Sequence, residues 1–106
     1  MKINVSTELL DLQGKVLKLG NEKDENATVA LVCKMALLND DSQNGMDKYE
    51  SWKLAREFEK GGELELTSEQ ISKVKKLVHK IFTPTYIGPV FDILEGVETK
   101  EKKTNK

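Results

Sequence analysis

The chain has 106 residues, enough for one domain with one modest core. Apolar residues make up 38% and charged residues 33%, yet the formal net charge is only -1, a balance that favours a folded body over a disordered chain and excludes a strongly basic nucleic-acid binder. The single cysteine, Cys33, excludes an intramolecular disulfide.

The first elements are extended. Lys2 to Val5 alternates polar and apolar residues and reads as a short strand. Leu9, Leu10 and Leu12 precede Gln13-Gly14, and Val16, Leu17 and Leu19 follow, which reads as a turn between two extended pieces. Gly20 to Glu25 is a polar loop by composition.

Asn26 can cap the next element. Ala27 to Leu38 is apolar nearly all round, broken only by Thr28 and Lys34. A run of that length is long for a strand and ordinary for a helix, so it is assigned as a buried central helix that needs cover on every side. Asn39 to Gly45 is a loop. Asp47 and Glu50 open a second helix ending near Lys60, with Tyr49, Trp52, Ala55 and Phe58 recurring every third residue. Gly61-Gly62 stops it, and Glu63 to Leu66 alternates like a short edge strand.

The clearest element follows. Thr67 and Gln70 form the T-x-x-Q capping pattern. Ile71, Val74, Leu77, Val78, Ile81 and Phe82 then fall at helical spacing, and Lys73, Lys75, Lys76 and Lys80 take the other side. A last helix starts at Pro84, with Tyr86, Ile87, Val90, Phe91, Ile93 and Leu94 as its apolar face. Gly88-Pro89 should kink it or delay its start. The expectation is a mainly α (α+β) domain over 1–96. About four helices surround the apolar central helix, with a small N-terminal β-hairpin element that Glu63 to Leu66 can join. The final ten residues, 97–106, hold four Lys and two Glu and no apolar anchor beyond Val97, and are expected to form a disordered basic tail. Residues 1–96 then carry 13 basic against 16 acidic side chains.

Motifs for chemistry are sparse. Asp40, Ser42, Asn44 and Gly45 read D-x-S-x-N-G, like the first half of a calcium loop. The twelfth position is Ser51 where a bidentate Glu is needed, and Lys48 adds a positive charge, so a polar loop is the expectation and no metal is assigned. His79 is the only histidine and has no ligand or triad partner at useful spacing. Cys33 sits in an apolar run, the setting of a packed thiol rather than a reactive one. Glu57, Glu59, Glu63 and Glu65 lack an apolar setting that would split their pKa values for acid–base work. No phosphate-binding glycine loop, nucleophile elbow or C-x-x-C is present. No cofactor is assigned, and the chain is expected not to be an enzyme.

Two binding sets remain. Trp52, Tyr86, Ile87 and Phe91 are residue types favoured as protein-interface anchors. Lys73, Lys76 and Lys80 are the alternative, a phosphate-facing side for nucleic acid, although no Arg, Asn or Gln follows on that helix to read bases. A homo-oligomer is the expectation where the aromatic surface stays uncovered after folding. Met1 to Val5 lacks an apolar signal core, and no stretch approaches the ~18 apolar residues of a membrane span, so the expected location is the cytoplasm, with no membrane partner.

Four stretches together carry a family resemblance: Met1-Lys2-Ile3 with Leu12-Gln13-Gly14-Lys15-Val16, then Met35-Ala36-Leu37-Leu38, then Glu63 to Gln70, then Gly88 to Leu94 followed by Glu95. The plan resembles small uncharacterised proteins of tailed bacteriophages and prophages. That family carries no assigned activity, so the resemblance transfers no functional residue. It implies a phage accessory protein that acts in the bacterial cytosol on a host or phage protein.

Overall fold

The computed structural model describes residues 2–19 and 25–96; the expected tail, 97–106, and most of the expected Gly20 to Glu25 loop lie outside them. The described elements are β1 (Lys2–Asn4), β2 (Lys18–Leu19), β3 (Glu25–Asn26), α1 (Val29–Leu38), α2 (Gly45–Lys60), β4 (Glu63–Glu65), α3 (Ser68–Ile81) and α4 (Pro84–Leu94). This is the expected mainly α architecture, with α1 packed against α2, α3 and α4.

The β part is made of two small pieces. β1 pairs antiparallel with β4, with Ile3 opposite Leu64, so the Glu63 to Leu66 segment does join the N-terminal strand. β2 pairs antiparallel with β3. Between β1 and β2 the chain turns back at Asp11 to Lys15, where the Asp11 carboxylate accepts from the backbone N–H groups of Gln13 and Lys15 at 2.8 and 2.9 Å. Leu10 and Val16 face each other across this turn. The expected hairpin is therefore a tight turn, whereas the first strand finds its partner some sixty residues on.

α1 begins two residues later than the apolar run suggests. Backbone bonds from Leu9 N–H to the Ala27 carbonyl and from Ala27 N–H to the Leu17 carbonyl, both 2.8 Å, keep that residue extended. Thr28 therefore caps the helix, accepting from Leu31 N–H at 3.1 Å. Asn26, the expected cap, instead bridges Lys18 and Glu8 through its side chain.

α2 opens two residues early because Asn44 accepts from the N–H groups of Met46 and Asp47. α3 has the expected capping box, with Thr67 and Gln70 bonding reciprocally at 3.1 and 2.9 Å. α4 begins at Pro84 and runs through Gly88-Pro89 to Leu94, so that pair does not delay the helix.

The core collects Val5 and Leu9, Val29, Val32, Cys33 and Leu37 from α1, Phe58 from α2, Val74 and Val78 from α3, and Val90 and Leu94 from α4. α1 is the central helix expected, but its cover is incomplete at the C-terminal end, where Leu38 is exposed.

Candidate functional site

α2 shows two faces. Ser51, Leu54, Ala55 and Phe58 are buried toward the core, while Tyr49 and Trp52 are 52% and 49% exposed. The every-third-residue pattern explains the split. Three residues fall about 60° short of a full turn. From Tyr49 to Phe58 the pattern therefore drifts about 180° around the helix. Tyr49 and Trp52 end on the solvent side and Ala55 and Phe58 on the core side.

The outer face is aromatic and cationic. The Arg56 guanidinium lies over the Trp52 ring at 4.6 Å, and the Lys53 ammonium lies over the Tyr49 ring at 4.8 Å. Met46, one turn before Tyr49, is 66% exposed. Each cation is held by a ring one turn away, which limits the rotamers that binding would otherwise have to order. Tyr49, Met46 and Arg56 belong to this face but were not singled out by residue type alone; tracking the angular drift along α2 would have found them.

The other proposed anchors sit elsewhere. Tyr86, Ile87 and Phe91 are on α4, partly buried and packed on the core. The Tyr86 hydroxyl donates to the Lys18 carbonyl at 2.6 Å, and its ring packs against Phe82 at 5.5 Å between centroids. Phe91 carries the Lys75 ammonium over its ring at 5.2 Å. These rings hold α4 against α3 and β2. Trp52 is the member of the set that presents half its surface to solvent.

The lysine helix is tied down along most of its length. Lys73 donates to the Asp47 carbonyl at 2.8 Å and lies 4.0 Å from the Asp40 carboxylate. Lys80 pairs with Asp41 at 3.0 Å, and Lys75 with Glu95 at 2.5 Å. Of Lys73, Lys76 and Lys80, only Lys76 makes no ion pair among the described residues. The carboxylates that answer these lysines reduce the positive field a phosphate backbone would meet.

The Asp40 loop is internally satisfied. Asp40 accepts from the Ser42 N–H at 2.9 Å and from the Ser51 hydroxyl at 2.5 Å, and its side chain is 6% exposed. The Ser51 hydrogen bond is the largest influence holding the Asp40 carboxyl below the usual carboxylate range; the Ser42 bonds and the nearby Lys73 act the same way against partial burial. Asn44 spends its side-chain oxygen on the α2 cap, so the half-motif builds a turn and a helix start. Among the described residues no group of three or more His, Cys, Asp or Glu is arranged to hold a metal ion.

His79 lies exposed on α3, and Cys33 is buried in α1, where burial pushes its thiol well up from the ordinary value. Glu59 pairs with Lys34 at 2.6 Å and Glu57 with Lys60 at 3.4 Å, both at the surface. No helix among the described residues is long and apolar enough to cross a membrane. No protein-family model, curated protein or solved structure matches the chain.

Proposed function

We propose that this protein is a non-enzymatic protein-binding module that uses the outer face of α2. The observation carrying this reading is the half-exposed Trp52, backed by Arg56 and flanked by Tyr49, on the side of the helix that faces away from the core. Trp, Tyr and Arg are the residues most enriched where binding energy concentrates, and Met is enriched in interfaces generally. Leu54, Ala55 and Phe58 supply the core side of the same helix, which leaves these residues on its outer side. The phage accessory role implied by the sequence resemblance belongs to this reading: the partner is a host or phage protein met in the bacterial cytosol.

The test is capture from bacterial lysate with the tagged protein, run beside the Trp52→Ala and Tyr49→Ala variants and read by mass spectrometry. A protein held by the unaltered chain and lost from both variants, with their circular dichroism unchanged, is the expected result. A captured set identical for all three chains overturns the role of α2.

A further inference from the structure

A second surface, remote in sequence from α2, carries its own chemistry. Leu10 to Gln13, at the start of the Asp11 to Lys15 turn, and α4 enclose a groove of about 750 Å³. Its walls are Leu10 and Leu12 on the turn side and Pro84, Gly88 and Pro89 on the helix side. Leu10 is half exposed and Leu12 fully exposed at the tip of the turn, an apolar side chain where turns favour polar ones. The α4 residues of this wall fall on the helix side opposite Val90 and Leu94, so the core does not need them.

The rim is acidic. Asp11 and Asp92 both line the groove, and among the described residues no Lys or Arg does. Backbone N–H bonds, that of Lys15 first, keep the Asp11 carboxyl below the ordinary value, and the Lys15 charge acts the same way. Pro89 has no N–H to give the Thr85 carbonyl, so that wall residue lacks its helical i+4 donor. Apolar walls with two carboxylates, of which Asp92 lies away from Lys15 on the helix side, complement a ligand that is apolar with a positive donor.

We propose that this groove docks an apolar segment of another protein bearing a lysine or arginine, the apolar side chains seated between Leu12 and Pro89 and the cation against Asp92. The site is separate from the α2 face and does not rest on it.

Gly88 gives a test. A Cβ built there meets nothing within 4 Å and the residue lies inside a helix, so Gly88→Leu sets its side chain at the groove wall, with unchanged circular dichroism required of the variant. The probe is a labelled 14-residue peptide of leucine and lysine at helical spacing, against the same peptide with glutamate for lysine. Amide shifts are followed with binding anisotropy. The expected result is shifts centred on Leu10, Leu12, Thr85, Gly88 and Asp92 with the lysine peptide. Affinity should fall about tenfold or more in Gly88→Leu and in Leu12→Gln, the loss of a buried anchor. Asp92→Lys should reverse the preference between the two peptides, and Trp52→Ala should change nothing. Shifts centred on α2, equal binding of the glutamate peptide, or indifference to Gly88→Leu would overturn the proposal. So would shifts at these residues that follow protein concentration without peptide, which would make a second copy the occupant.

Discussion

The Ser51 hydroxyl donates to the Asp40 carboxylate at 2.5 Å, joining the loop after α1 to the buried face of α2 across eleven residues of chain. Ser51 is 1% exposed, the one buried polar residue among the described residues. Its bond to Asp40 is what permits that burial, because an unpaired hydroxyl there would be costly. The bond also brings Asp40 to within 4.0 Å of Lys73 on α3, so one carboxylate links three elements.

Ser51→Ala removes a donor from a carboxylate that is mostly shielded from water. We expect a loss of about 1–2 kcal/mol at neutral pH, read as a lower denaturation midpoint with unchanged slope. Asp40 has a depressed carboxyl in the fold, so its contribution is present above the unfolded value of about 3.9 and is lost as pH falls through the lower folded value. The gap between Ser51→Ala and the unaltered chain should therefore narrow on acidification through that window. A gap that widens as pH falls would reject this assignment.

Lys73 and Lys76 differ in role although they neighbour each other on α3. Lys73→Gln breaks the contacts with Asp47 and Asp40, whereas Lys76 has no ion pair to lose among the described residues. Thermal melts should show Lys73→Gln lower than the parent by a few degrees and Lys76→Gln within error. Titration with DNA or RNA at low salt should leave the amide shifts of Lys73, Lys76 and Lys80 unmoved. Salt-sensitive shifts at all three would restore the nucleic-acid reading.

The Thr67 hydroxyl oxygen accepts from Gln70 N–H while the Gln70 side-chain carbonyl oxygen accepts from Thr67 N–H, so each side chain satisfies one backbone donor at the α3 start. Thr67→Ala should cost about 1 kcal/mol, a fall in Tm of roughly 4–8 °C for a domain of this size. Thr67→Ser should recover most of it.

Gly61 ends α2 with φ at 72°, and a Cβ there would lie 3.1 Å from the Ser6 hydroxyl oxygen. That same oxygen accepts from Gly62 N–H at 2.9 Å and helps bring β1 to β4. Gly61→Ala should destabilise by roughly 1–2 kcal/mol from the left-handed backbone alone. If the contact with Ser6 adds to it, Ser6→Ala will lessen the penalty in a double-mutant cycle.

Local chemistry makes much of this protein readable in its sequence. The α3 start follows from Thr67 and Gln70, the α4 start from Pro84 and the end of α2 from Gly61, because each rests on bonds or backbone angles set within a few residues. The apolar run of α1 predicts a covered helix, and the fold supplies that cover except at the C-terminal end, where Leu38 is exposed. Tertiary structure decided the rest. The partner of Lys2–Asn4 is a strand some sixty residues away, and Asn26 lost its capping role because Leu9 and Leu17 hold Ala27 extended. Tyr49 and Trp52 look like core residues until Ser51, Leu54, Ala55 and Phe58 take the inner side of α2. The groove beside α4 exists only once the Leu12 turn is laid against that helix. Pairing and packing at such separations depend on which surfaces meet, and a linear pattern of residue types carries the periodicity of a surface but not the identity of what covers it.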